Sequence, residues 1–345
     1  MDAVTEVVPV ARKGGGKWRR RMVRGLVGVA AAGVVVEMGL RVVFGLGSPL
    51  LYEADAECGY CVRPDQHIRR FFAENSINHE GMRSGEITER PAAGTKRVLF
   101  IGDSVTYALT YVDQSKIWTS RLPGLLAEAQ DGRVEVLNAS AGGWSPANEV
   151  GFLKSRGTFH ADVVCIVANS GDLGEELARL PAEGTEGFPT HRPWTAIGET
   201  WSRYVEPRLM GHVISDPGTS EPSAAELAER TQANLELYGE AQAFCDGHGA
   251  KMGLVYIPFP GWTKEQIEGA EKTLGEWAGE HGVPFVDVTK RYCGEALGKI
   301  SKDGFHPTAY GDEVIAEEVA RQWGVIDGAM GGAGKEAGAA TEHAR

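Results

Sequence analysis

The residues best suited to chemistry are a serine and a histidine far apart in the chain. Gly102-Asp103-Ser104 closes an apolar run, Val98-Leu99-Phe100-Ile101, and Asp303-Gly304-Phe305-His306-Pro307 opens a late segment. A serine hydroxyl is a poor nucleophile at neutral pH. It needs a base to take its proton and a third group to orient that base. Ser104 is the candidate nucleophile, His306 the candidate base and then acid, and Asp303 the candidate orienting carboxylate. Asp and His three residues apart fit a tight turn in which the carboxylate reaches its neighbour's ring. Each piece alone also has an ordinary reading: Gly-Asp-Ser after a strand is a good helix cap, and Asp-x-x-His is a common surface turn. Taken together, their order, spacing and strand context imply acyl transfer through serine. Such activity rises as His306 loses its proton.

These residues need a frame. Short apolar runs predict strands at 97–101, 134–137, 162–168, 252–257 and 285–288. Helical patterns fall at 223–245, with Leu227, Thr231, Leu235 and Tyr238 on one side, at 263–281, and at 308–323, where Ile315, Val319 and Trp323 recur every four residues. Short apolar strands alternating with helices predict an α/β fold, a parallel sheet covered on both faces. Such sheets carry their sites at the carboxyl ends of the strands. Ser104, the stretch from Asn138 to Gly143, and the stretch from Asn169 to Asp172 all follow predicted strands. Residues 173–222 break the rhythm and are rich in Pro, Gly, Trp and His, which predicts a lid or specificity insertion. Trp118, Trp144 and Tyr107 fit either a substrate groove or the core. His160, His191 and His212 show no partner, and His191 and Trp194 fall within the predicted lid.

The chain has 345 residues and a formal net charge of -12, yet residues 12–24 hold seven Lys/Arg and no acid. An acidic body argues against nucleic acid as a partner. The basic run precedes the mostly apolar stretch 25–46, which predicts a membrane anchor with a cytoplasmic basic N-terminus over 1–24. Glu37 and Arg41 interrupt it four residues apart, close enough to pair on a helix. No clear small-residue cleavage site follows, which favours an uncleaved anchor over a cleaved signal. The expected order is then a lead-in at 47–95, a catalytic domain at 96–326, and an unstructured tail at 327–345. Cys58 and Cys61 form a lone Cys-x-x-Cys with no second pair to complete a zinc site. Outside the cytoplasm the two could oxidise. No metal and no cofactor is expected, and Cys165 reads as a small core residue.

The sequence resembles the SGNH, or GDSL-type, hydrolase family over residues 95–325. Val98-Leu-Phe-Ile-Gly-Asp-Ser-Val-Thr-Tyr107 is similar to that family's first block, with Ser104 as nucleophile. Asn138-Ala-Ser-Ala-Gly-Gly-Trp144 is similar to the second, whose glycine amide lines the oxyanion hole; Gly143 fits that place beside the Ser104 amide. Asp303-Gly-Phe-His306 is similar to the fifth. The third block departs: where the family has Gly-x-Asn-Asp, this chain reads Ala168-Asn-Ser-Gly-Asp172. Aligning on Asp172 puts Gly171 at the Asn position, so either Asn169 supplies the third oxyanion donor or the hole relies on backbone amides. Asp172 is expected to buttress the loop. The lead-in resembles a membrane-anchored bacterial subgroup through Glu37-Met-Gly-Leu-Arg41, Cys58-Gly-Tyr60 through Pro64, and Ile77-Asn-His-Glu-Gly-Met-Arg83. In that subgroup the catalytic domain lies outside the cytoplasmic membrane.

The resemblance implies a three-layer, flavodoxin-like fold with a five-stranded parallel sheet. It also implies a serine esterase acting through an acyl-Ser104 intermediate, with acetyl esters on envelope or extracellular polysaccharide as candidate substrates. Two rivals use the same scaffold. One is an acyltransferase passing the acyl group to a glycan hydroxyl; the other is a non-catalytic glycan-binding or scaffold protein.

Overall fold

A computed structural model describes residues 15–129, 133–181, 184–185, 187–210 and 222–328. The strands are β1 (Tyr52–Asp55), β2 (Gly59–Val62), β3 (Gln66–Arg70), β4 (Ala73–Ile77), β5 (Thr95–Gly102), β6 (Arg133–Ser140), β7 (Val163–Ala168), β8 (Lys251–Tyr256) and β9 (Phe285–Asp287). The last five form one parallel sheet in the order β6-β5-β7-β8-β9. This is the flavodoxin-like order, whose chain reversal at β5 opens a crevice at the strands' carboxyl ends. The five predicted strands are all present, and each differs from its predicted limits by only a few residues.

The helices are α1 (Gly15–Phe44), α2 (Ser104–Tyr107), α3 (Trp118–Ala129), α4 (Pro146–Arg156), α5 (Ala196–Thr200), α6 (Glu206–Met210), α7 (Ala224–Gly247), α8 (Lys264–His281), α9 (Thr289–Tyr292), α10 (Leu297–Ile300) and α11 (Ala309–Arg321). Strand residues alternate between two cores. Leu99, Ile101, Val164, Ile166 and Leu254 pack with Phe152 and Leu153 of α4, Tyr238 and Cys245 of α7, and Leu274 and Trp277 of α8. Val98, Phe100, Cys165, Val167 and Val255 pack with Trp118 and Leu122 of α3 and with Ile315, Val319 and the following Trp323 of α11. Burial of both sheet faces makes the strands continuously apolar.

Three features depart from the expectations. Among the described residues helix α1 runs from Gly15, so the basic residues from Lys17 to Arg24 lie inside the helix; Arg and Lys are good helix formers. The lead-in contains two antiparallel hairpins, β1–β2 and β3–β4. Their Tyr52, Cys58, Tyr60, Val62, Ile68 and Ile77 join the first core. On α7 the buried stripe is Asn234, Tyr238, Ala241 and Cys245, and Leu227 is exposed. The expectations for 1–14, for part of the insertion and for the tail beyond 328 fall outside the described residues.

Candidate active site

The turn that presents Ser104 is fixed by its neighbours. Asp103 caps α2, its carboxylate accepting from the Val105 N–H at 2.8 Å, and Ser104 is the first helical residue. Gly102 lets that turn lie against the strand: a Cβ there would fall 2.2 Å from Thr106 Oγ1. The carbonyls that follow are gathered by Arg83, which is buried and donates to Tyr107 O (2.5 Å), Leu109 O (3.0 Å) and Val112 O (2.6 Å). Its guanidinium also lies 4.7 Å from the Tyr107 ring centroid.

Asp303 and His306 arrive on the turn before α11. Asp303 Oδ1 accepts from the backbone N–H groups of Phe305 (3.0 Å) and His306 (2.9 Å), which leaves Oδ2 for the His306 ring. Gly304 takes φ +85° and packs on Gly261, whose N–H donates to Gly304 O at 2.9 Å. A side chain at either glycine would push the turn off the loop after β8.

The three predicted residues meet. His306 Nδ1 lies 2.8 Å from Asp303 Oδ2, and His306 Nε2 lies 3.0 Å from Ser104 Oγ. Partial burial works to raise the Asp303 pKa, but hydrogen bonds from the His306 ring and from the His306 and Phe305 amides outweigh it and hold the carboxyl at about 2. An ionised carboxylate can only accept, so Nδ1 carries the ring proton. The neutral ring then presents Nε2 as an acceptor for the Ser104 hydroxyl.

Gly143 lies on the loop after β6 with φ +69°. Tyr60 Oη donates to Gly142 O at 2.6 Å, while Trp144 Nε1 donates to Tyr60 O at 2.8 Å. In a trans peptide the Gly143 N–H points opposite to the Gly142 carbonyl. Tyr60 therefore fixes which way that N–H faces. The loop passes beside Ser104, since a Cβ on Gly142 would lie 3.9 Å from Ser104 Cβ.

Asn169 is placed otherwise. It is buried, and its Nδ2 donates to Asp103 Oδ2 at 3.1 Å and to Asp172 Oδ1. Both amide hydrogens are thus given to the carboxyl groups of Asp103 and Asp172, which runs against Asn169 as a third oxyanion donor. Its geometry makes it a brace between β5 and β7. Asp172 holds the same loop, accepting from the Asn169 N–H at 2.9 Å, and Asn234 of α7 donates to Asp172 O and Glu175 O. Beside Ser104, Asp103 belongs to a group of interacting acids. Burial pushes Asp103 up to about 6, and burial with the Asp103 charge pushes Glu175 up to about 7. Burial also raises Glu149 and Asp172 well above the carboxylate range. Both Glu149 carboxyl oxygens are buried without a hydrogen-bond partner among the described residues.

A pocket of about 580 Å³ adjoins Ser104 and His306. Tyr52, Phe71, Tyr107, Tyr111, Phe188 and Tyr204 give it an aromatic wall, and Arg70 and Arg203 give it charge. Glu199 bridges the two arginines at 2.7 and 3.2 Å. Phe188, Arg203 and Tyr204 come from the insertion, and Tyr52, Arg70 and Phe71 from the hairpins. None of these, nor Tyr60 or Arg83, was singled out from sequence as a site residue. Of the predicted aromatics, Trp118 and Trp144 are core and Tyr107 is both core and pocket wall. His191 and Trp194 do not line this pocket, and His212 lies outside the described residues. At the β1–β2 turn the Cys58 and Cys61 sulfurs and an Asp55 oxygen lie within 4.8 Å of one another, a set that could hold a metal ion. Asp55 already accepts from the turn's amides and pairs with Arg156 at 3.2 Å.

The family model of GDSL-like lipases and acylhydrolases matches residues 100–314. The chain belongs to that family and is a carboxylic ester hydrolase. Among solved structures it is similar to TesA, at 21% identity over 68% of this chain and 99% of that one, with a TM-score of 0.41. It is similar to an acetyl-xylooligosaccharide esterase, Axe2, from Geobacillus Stearmophilus, at 17% identity over 66% and 93%, TM-score 0.40. It is also similar to the lipase/acylhydrolase from Enterococcus faecalis, at 15% identity over 66% and 94%, TM-score 0.41. No curated protein matches the chain.

Proposed function

We propose that the protein is a membrane-anchored serine esterase that works through an acyl-Ser104 intermediate. The supporting observation is the hydrogen-bonded line from Ser104 Oγ through His306 to Asp303, at 3.0 and 2.8 Å. Ser104 Oγ attacks the ester carbonyl carbon as its proton passes to His306 Nε2. The Asp303 carboxylate holds the ring and offsets the imidazolium charge. The carbonyl oxygen gains the negative charge and accepts from the Ser104 and Gly143 amides. Collapse breaks the acyl C–O bond, and the alcohol leaves with the proton from Nε2. Water, deprotonated by the same nitrogen, then attacks the acyl carbon; the acyl–Oγ bond breaks, Ser104 Oγ takes the proton back from Nε2, and the acid leaves.

The aromatic, arginine-bearing pocket has room for a sugar-sized alcohol, which fits an acylated carbohydrate as substrate. Helix α1 from Lys17 to Phe44 is long and apolar enough to cross a membrane, and its apolar window is wholly unburied. A signal sequence passes the same test. The basic run at its N-terminal end favours an extracytoplasmic catalytic domain. Hydrolysis of p-nitrophenyl acetate and butyrate tests the activity: the parent turns over and Ser104→Ala does not. Equal turnover in the two would end this reading.

A further inference from the structure

The last two turns of α1 are the part of the helix held by the body of the protein. Glu37 accepts from the amides of Ala196 (2.8 Å) and Ile197 (3.0 Å) at the start of α5, and Arg41 donates to Glu37 (2.6 Å) and to Trp194 O (3.1 Å). Phe44 O accepts from the Phe71 amide at 3.0 Å, and the Phe44 and Phe72 rings lie 6.2 Å apart. Around this junction large apolar side chains stand free. Trp194 is 98% exposed, Phe72 64% and Trp201 53%, with Ile197 and Phe71 also exposed. Isolated exposed apolar residues are ordinary, but aromatics grouped where an apolar helix leaves a domain mark a membrane–water boundary.

Lengths agree with that placement. The thirteen steps from Arg24 to Glu37 rise about 20 Å at 1.5 Å per residue, against a hydrocarbon layer of about 30 Å. Snorkelling of the arginines and local thinning cover part of the difference. The remainder draws the elements tied to Glu37 and Arg41 down to headgroup depth.

We propose that Trp194, Ile197, Trp201, Phe71 and Phe72 form a surface that rests in the phospholipid interface beside α1. This rests on the reading of α1 as a membrane anchor. The catalytic pocket shares Phe71 with this surface, and Tyr204, a pocket residue three positions beyond Trp201, packs against Phe71 at 6.0 Å. The pocket is thereby set beside the bilayer, where esters carried at the membrane surface meet it.

The test uses the full chain in phosphatidylcholine vesicles with and without brominated acyl chains, which quench nearby tryptophan. Of the eight tryptophans, Trp18, Trp194 and Trp201 are strongly exposed. With equal contributions from these three, Trp194→Phe/Trp201→Phe should cut the lipid-quenchable emission to about one third of the parent's. Unchanged turnover of a water-soluble ester checks that the double variant is folded. An alkaline carbonate wash separates the two levels of the reading. A chain released by carbonate overturns the anchor and the resting surface with it. A chain that is retained, but whose quenchable emission is the same in parent and double variant, overturns the surface alone. Dimerisation that shields Trp194 and Trp201 from the brominated lipid would likewise overturn it, by assigning the patch to a second copy.

Discussion

Replacing Tyr60 with Phe isolates the orientation of the Gly142–Gly143 peptide. The change removes one hydrogen bond, Tyr60 Oη to Gly142 O at 2.6 Å, and leaves the ring packed against Tyr52 and Phe188. A neutral hydrogen bond contributes about 0.5–1.5 kcal/mol net. If that sum is felt only when the Gly143 N–H meets the oxyanion, kcat falls by about 2- to 13-fold. Tyr60 does not line the pocket, so KM for a small ester should hold. Loss of an oxyanion donor outright costs on the order of 10²–10³ in kcat, and Gly143→Ala should approach that range. Gly143 has φ +69°, and its added Cβ would lie 3.1 Å from Tyr60 Oη. Steady-state kinetics on p-nitrophenyl acetate distinguishes the cases. An unchanged kcat in Tyr60→Phe, or a loss confined to KM, would refute the link from the hairpin to the oxyanion site.

Three further outcomes are expected. Asp303→Asn keeps an acceptor for the turn's amides but favours the wrong histidine tautomer. Its kcat at pH 7 should fall on the order of 10³–10⁴ with the fold intact by circular dichroism. Arg83→Met leaves the carbonyls after Ser104 without their buried donor and should lower unfolding stability by more than about 3 kcal/mol in urea titrations. Burial and the Asp103 charge hold Glu175 at about 7 in the folded chain. A raised folded pKa means that stability is fully present below the unfolded value near 4.5 and is lost as pH rises toward 7. Thermal melts of Glu175→Gln should therefore change less between pH 5 and 8 than those of the parent; identical slopes would remove the burial explanation.

Much of the sheet was legible because its strands are apolar on both faces, and β5, β6 and β7 stop at loops that carry candidate site residues. Ser104, Asp303 and His306 were legible as short linear patterns, and the fold brings their side chains together. Helix α3 was hidden by Pro123-Gly124 in its middle, a pair that reads as a turn. The hairpins were hidden by their shortness. The buried face of α7 was misread because one of its members is the polar Asn234, whose amide is occupied by the carbonyls of Asp172 and Glu175. Asn169 is a matter of direction: a residue type able to stabilise an oxyanion is turned toward the side chains of Asp103 and Asp172. Tyr60 reaches Gly142 across 82 positions, and no local pattern announces such a contact.

In the proposed triad His306, oriented by Asp303, makes Ser104 nucleophilic. The most direct measurement is reaction of the folded chain with a fluorophosphonate, followed by peptide mass spectrometry. A phosphonyl adduct on Ser104, with fluoride released, and strong loss of labelling in His306→Ala are the expected results. A folded parent that takes no label, or takes it on another residue, would contradict it.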